Sequence, residues 1–387
     1  MRQLYLAATG QNRGKTTAAL GLLDGFLRRG LRTGFLKPVG QRTIIDHGVP
    51  ADEDAVLMHE TFGLSEPYAV MSPVHIPRGF TKAYIAGEVV EDLGARVIAA
   101  HRHYLEHDVL LIEGTGHAGV GAVIGLSNGA VAAALGAPAI IISEGGVGRP
   151  IDEIVLNAAL FERHGVPIAG AIVNKVDVDA QPGIDEVLRK GLAPYGIPLL
   201  GILPRQPILS NPTLEMIVEG LGGETLHPGP DLDRVIDGVA IGAMEPGHML
   251  ERVGPGTLVI VPGDREDVIL TLTTAHLMGP ARGARVDELL QVPLGLLANH
   301  DGAAVGLVLT GGYRPRRAVL EAIRRVDLFA TLVDADTYSV ASEIHDLLVK
   351  THPADAEKIQ LIKELVAANL DVDLILAAAA ELPVSVS

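Results

Sequence analysis

The sequence predicts an α/β protein: a mainly parallel sheet with helices on both faces, then a second, smaller α/β domain and a helical tail. Three observations carry this. Short apolar, β-rich runs alternate with segments of helical period from residue 1 to about 205, and again from about 213 to 333. The 45 glycines suit many tight strand-to-helix turns. Hydrophobic residues make up 48% of 387 positions and charged ones 20%, which supports a large packed core and argues against general disorder.

Residues 4–8 read as a strand and 15–29 as the helix that follows. Further strands are predicted at 33–39, 109–112, 139–142, 168–173 and 199–203, with helices at 128–135, 151–164 and 182–192. Strands that are apolar throughout and joined by helices form a parallel sheet buried on both faces. Such sheets bind ligands beyond the C-terminal ends of their strands, and each motif of this half falls at that end.

Pro204 to Pro212 reads as a connector. The second alternation has a helix at 213–220, strands at 239–242 and 257–261, a helix at 266–277, a strand at 305–310, a helix at 315–325 and a strand at 328–333. A helical tail is predicted across 337–379, and the Gly- and Pro-rich stretch 279–303 has no readable period. The expected division is therefore 1–205, 206–335 and 336–387.

A net charge of −16 makes nucleic acid or an anionic membrane a poor main ligand. The absence of Cys excludes disulfides, a thiolate nucleophile and Cys-based metal sites. The N-terminus does not read as a signal peptide, and apolar stretches such as 137–143 are too short to span a bilayer. A soluble, cytoplasmic protein is expected.

The most informative stretch is TGQNRGKTT, Thr9 to Thr17. It lies between a strand and a helix and ends in Gly14-Lys15-Thr16, as a phosphate-binding loop does. Thr9 stands where the loop's first glycine is expected, and Gly10 comes one place later. Amides at a helix N-terminus, with the helix dipole behind them, attract an anion. Lys15 then neutralises phosphate and the Thr16 hydroxyl reaches Mg²⁺. Glu113, ending the apolar run Val109-Leu-Leu-Ile, supplies the acid that such a site needs. The fold expected for the first domain is therefore P-loop NTPase-like.

Three more stretches narrow the class: Phe35-Leu-Lys37-Pro-Val-Gly40, Glu53-Asp54, and Ile172-Val-Asn174-Lys-Val-Asp177. With Gly14-Lys15-Thr16 and Ile112-Glu113-Gly-Thr-Gly116, in this order, the chain resembles dethiobiotin synthetase. It resembles still more the related N-terminal region of long bacterial phosphotransacetylases, displaced glycine included. The resemblance implies ATP and Mg²⁺ as cofactors. It places Lys15 and Lys37 at the reacting phosphate, and Gly10, Gly14, Lys15, Thr16, Thr17 and Asn174 around the nucleotide, with Asn174 on the base. Thr16, Asp54 and Glu113 would ligate the metal, and two carboxylates plus a hydroxyl match the hard oxygen donors Mg²⁺ takes. Asn174 to Asp177 also fits the guanine-reading pattern of GTPases, so adenine and guanine both stay open. Asp54 lies in an acidic run, Asp52-Glu53-Asp54, that reads equally well as a solvated helix start.

In the second half, Val261-Pro-Gly-Asp264-Arg265-Glu-Asp267, Leu309-Thr310-Gly-Gly312 and Asp336-Thr-Tyr338 follow strands and resemble the DRTGG domain. That implies a small-molecule ligand at Asp264, Arg265 and Thr310. Turn and capping chemistry explains the same residues without a ligand. The two resemblances cover nearly the whole chain and leave nothing to build an acetyl-transferring domain. The expectation is a stand-alone relative of the regulatory half, homo-oligomeric as its relatives are. It would act as a nucleotide-binding regulator or sensor; the alternative is an ATP-dependent ligase that carboxylates or amidates a small molecule through a phosphorylated intermediate.

Other candidates read as ordinary structure. His101 and His103 point about 200° apart on a helix and cannot share a metal there. His107 and His117 read as surface residues, Ser127 and Ser143 lack triad partners, and Arg149 could reach a ligand from the start of its helix.

Overall fold

The computed structural model describes residues 1–46, 48–277, 304–347 and 350–381; the whole stretch 279–303 lies outside them. The chain forms two compact units, Met1–Gln206 together with Thr351 onward, and Pro207–Lys350.

The first unit is built on a six-stranded sheet. Its strands are β1 (Arg2–Ala8), β2 (Thr33–Leu36), β3 (Val109–Glu113), β4 (Ala139–Glu144), β5 (Ile168–Val176) and β6 (Leu199–Pro204). They are parallel, in the order β6-β5-β4-β1-β3-β2. β1 and β3 are buried from Leu4 to Ala8 and throughout Val109–Glu113, because helices cover both faces. The chain leaves β1 toward β3 and β2, and later returns on the other side through β4. That switch of direction opens a crevice at the C-terminal end of β1, where the loop Thr9–Gly14 lies.

The strand expected at 33–39 stops at Leu36. Pro38 has no N–H for the ladder, and Lys37 N–H turns instead to the Met71 carbonyl at 2.7 Å. Val39–Gly40 pairs separately with Val74–His75. Between Gly40 and Glu53 the chain makes a hairpin, Thr43–Asp46 against Val49–Asp52, with no apolar alternation to announce it. Asp52 then caps helix Glu53–Phe62 by accepting from Asp54 N–H.

The second unit holds β7 (Glu224–His227), β8 (Gly238–Ile241), β9 (Thr257–Pro262), β10 (Gly306–Thr310) and β11 (Phe329–Leu332), in the order β7-β11-β10-β9-β8. Only β7 runs antiparallel. It was not legible in the sequence, since Glu-Thr-Leu-His buries Leu226 alone.

The predicted tail divides. Helix Thr337–Asp346 belongs to the second unit, whereas Ala356–Asn369 and Val372–Glu381 belong to the first. Leu370 between them is extended, and Asp371 caps the last helix through the amides of Asp373 and Leu374. Ile359, Ile362, Val366, Leu370 and Ile375 are buried there, each worth about 1.5–3 kcal/mol of apolar burial. Among the described residues, no helix is long and apolar enough to cross a membrane.

Candidate functional site

The loop after β1 is held from outside as well as within. Gly14 has φ 91° and Asn12 φ 58°. The end of β5 crosses behind them: the Lys175 ammonium donates to the Asn12 carbonyl at 2.8 Å, and the Asn174 amide donates to the Arg13 carbonyl at 3.1 Å. A β-carbon on Gly14 would collide with Asn174 Nδ2. On the other side Thr9 N–H reaches the Ile142 carbonyl at 2.9 Å, its hydroxyl reaches Glu153 at 2.8 Å, and Arg13 pairs with Glu144. The loop thus keeps its shape without glycine at position 9, where the side chain is a tether. Sequence reading assigned Asn174 to a base; here its amide grips the loop.

Helix Lys15–Arg28 begins at that loop. Lys15 is 8% exposed, and its ammonium lies 3.5 Å from the Gly10 carbonyl. Burial, reinforced by Lys37, brings its pKa down to about 8. Thr16 points its hydroxyl 3.1 Å from both Asp54 Oδ1 and Glu113 Oε1. Thr17 follows on the same turn, half-buried. Lys37 Nζ stands between the two acids, 2.5 Å from Asp54 Oδ2 and 2.9 Å from Glu113 Oε1. The structure therefore brings Lys15, Thr16, Lys37, Asp54 and Glu113 into one cluster from four separate stretches of chain. Asp54 is not a solvated helix start.

The cluster is electrostatically divided. Burial would strip the proton from Lys37, but Asp54, Glu113 and Asp52 outweigh it and hold its pKa well above the ordinary value. Burial opposes ionisation of Asp54 too; Lys37, with the Thr16 hydroxyl, keeps this carboxyl below its usual range. Burial pushes Glu113 up to about 7 and Asp52 up to about 6, against the pull of Lys37 in each case. Glu113 is 0% exposed, and its Oε2 accepts no hydrogen bond among the described residues. Glu113 Oε1 and Asp54 Oδ1 share the Thr16 hydroxyl, and with the unpartnered Glu113 Oε2 they make a set of hard oxygen donors of the kind a divalent cation takes.

Two residues that sequence reading missed shape the rim. Asn128 holds the loop after β3 by donating to the carbonyls of Thr115 and His117, while Tyr5 and Thr115 N–H donate to its Oδ1. Asn157 Oδ1 accepts from Ala118 N–H at 2.8 Å. Buried asparagines at 4% and 7% exposure were the available signal, and only the fold reveals burial.

The remaining candidates disperse. Asp177 accepts from Ala180 N–H within its own turn. His101 pairs with Gln3 and His107 with Glu66. Ser127 caps its helix, and Arg149 pairs with Glu153 on its own helix. In the second unit the Thr310 hydroxyl, 1% exposed, meets that of Thr337 at 2.8 Å. Arg265 bridges Asp267 and the Met244 carbonyl, and Asp264 is exposed. The amides of Gly263, Gly311 and Gly312 are bonded to the carbonyls of Thr310, Ala335 and Val333.

A family model described as an AAA domain matches residues 2–213, more than half of the chain. The chain belongs to that family. In this AAA-domain protein a second model, described as a DRTGG domain, matches residues 216–347. Phosphate acetyltransferases of Pseudomonas putida and Pseudomonas aeruginosa are 28% and 25% identical to it, each over 96% of this chain and 51% of the relative. The chain thus spans about half the length of these curated relatives. Among solved structures, the septum site-determining protein MinD from Pyrococcus horikoshii, complexed with Mg-ADP, is similar at 15% identity, a TM-score of 0.36, and 54% and 83% coverage of the two chains. The CBS and DRTGG domains of the Clostridium perfringens pyrophosphatase regulatory region are similar at 13% identity, a TM-score of 0.28, and 50% and 86% coverage. At those scores neither likeness bears on function.

Proposed function

We propose that this protein binds ATP with Mg²⁺ in its first unit and serves as a regulator or sensor, coupling nucleotide state to the DRTGG domain. The observation that carries the proposal is the convergence of Lys15, Thr16, Lys37, Asp54 and Glu113 beside an open amide loop, at the switch point of a parallel sheet. In this reading the amides from Gly10 to Thr17 and the Lys15 ammonium hold the phosphates. Thr16, Asp54 and Glu113 would hold Mg²⁺, and the Lys37 ammonium, between the two acids, would add positive charge at the terminal phosphate. The metal supplies charge neutralisation at the phosphates when bound. Asn174 braces the loop at the Arg13 carbonyl, and the resemblance also assigns it to the base. Asp177 is engaged in its own turn, which favours adenine over guanine. In the DRTGG domain a small ligand would sit at Asp264, Arg265 and Thr310, and the protein would be homo-oligomeric.

The test is titration with ATP and GTP, with and without Mg²⁺, against the wild type and Lys15→Ala. The proposal expects Mg²⁺-dependent ATP binding that Lys15→Ala abolishes, with altered hydrogen exchange in the second unit. Wild-type protein that ignores both nucleotides, or whose second unit does not respond, sinks it.

A further inference from the structure

We propose that the helix pair Ala356–Asn369 and Val372–Glu381 is the mechanical coupler that reports the state of the nucleotide site to the second unit. The inference rests on the reading that nucleotide binds at the loop after β1, and it names the part that carries the signal.

Thr16 lies on the first turn of helix Lys15–Arg28, and Asp54 on the first turn of helix Glu53–Phe62. The tail touches the far part of both. Lys363 Nζ is 3.5 Å from Asp24 Oδ1 on the first helix and 4.8 Å from the centre of the Phe62 ring that ends the second. Val366 seats against Gly21, where a β-carbon would collide with it, and Val372 packs over Gly25. Arg29, just past the first helix, grips both oxygens of Asp373 at 2.7 and 2.9 Å. The two glycines sit one turn apart and let the tail backbone approach closely.

The same pair meets the two connections to the second unit. The chain enters that unit after β6 and returns ahead of helix Ala356–Asn369. Leu370 bridges to Gly201 of β6, so the outgoing strand and the end of the returning helix are hydrogen-bonded partners. Close-packed helices shift as bodies and cannot deform continuously. Thr16 and Asp54 already share a hydrogen bond at 3.1 Å, so a cation held between them would replace that contact and shift the two helices that carry them, and the tail is packed on the far parts of both. Coupling requires that the nucleotide-bound and free states hold the tail differently.

Hydrogen exchange on the full chain, with and without ATP and Mg²⁺, tests this. The wild type should change in 356–369 and in 207–277 together. Val366→Ala and Arg29→Glu leave the site residues untouched. They should bind ATP within about threefold of wild type, while the response in 207–277 falls by about fivefold or more. Adding Asp373→Arg to Arg29→Glu should restore it. ATP binding without change in 356–369 overturns the coupler alone, as does a full second-unit response in both single variants. Failure of the wild type to bind ATP overturns the functional reading and the coupler with it.

Discussion

The Asn174 side-chain amide fills the space that a β-carbon at Gly14 would need, while donating to the neighbouring Arg13 carbonyl at 3.1 Å. Gly14 is therefore fixed twice, by its φ of 91° and by Asn174. Gly14→Ala should cost about 1–2 kcal/mol for the left-handed backbone and a further penalty for the collision, with ATP affinity lost. Adding Asn174→Ala should recover part of the stability through relief of the clash. A thermal-melt double-mutant cycle showing simple additivity would remove Asn174 from this account.

Lys175 and Asn174 together hold two consecutive loop carbonyls. Each single alanine variant should lose about 0.5–1.5 kcal/mol of stability and weaken ATP binding about tenfold or less, because the loop still carries its own amides. Isothermal titration distinguishes this from a base contact. A base contact would alter the ratio of ATP to GTP affinity, whereas loop support lowers both alike.

Much of the first unit was legible because its strands are apolar on both faces and alternate with segments of helical period. Thr16, Lys37, Asp54 and Glu113 were singled out as separate motifs, and the fold places them together. The hairpin from Thr43 to Asp52 was not legible, since Ile44, Ile45 and Val49 are exposed and no period marks them. Nor was the return of the tail to the first unit: helical period announces a helix, not the surface it covers. The contact of Asn174 with the loop was not legible for a related reason, because an amide that can read a base can equally hold a carbonyl.

Asp52 and Glu113 give the metal-free protein a signed pH dependence. Their ordinary values are 3.8 and 4.5, and burial raises them to about 6 and about 7. Across that window the folded state holds protons that the unfolded chain has released, so this stability is full below about pH 4 and is lost as pH rises through 7. Lys15, lowered to about 8 from 10.5, acts only above that window. Burial holds His75 and His101 below the ordinary histidine value, and they act in the opposite sense in the same window. The expected signature is therefore a difference: relative to Glu113→Gln, the wild type without metal should lose melting temperature between pH 5 and pH 8. A Glu113→Gln slope identical to wild type would contradict the protonated, buried carboxyl.

Nucleotide binding should follow a bell-shaped pH profile built from the same groups. Below about pH 7 Glu113 holds a proton and competes with Mg²⁺, so affinity rises as pH climbs to 7. Above about pH 8 Lys15 loses its charge in the free protein, so affinity falls again. Bound phosphate favours the ammonium, which means that ATP binding at pH 8.5 should take up a proton. Calorimetry in buffers of different ionisation enthalpy measures that proton directly. Asp54→Asn should abolish the Mg²⁺ dependence while leaving the alkaline limb in place, since Lys15 still titrates. Loss of the alkaline limb in Asp54→Asn, with Lys15 intact, would mean that the falling limb belongs to the metal site and not to the loop lysine.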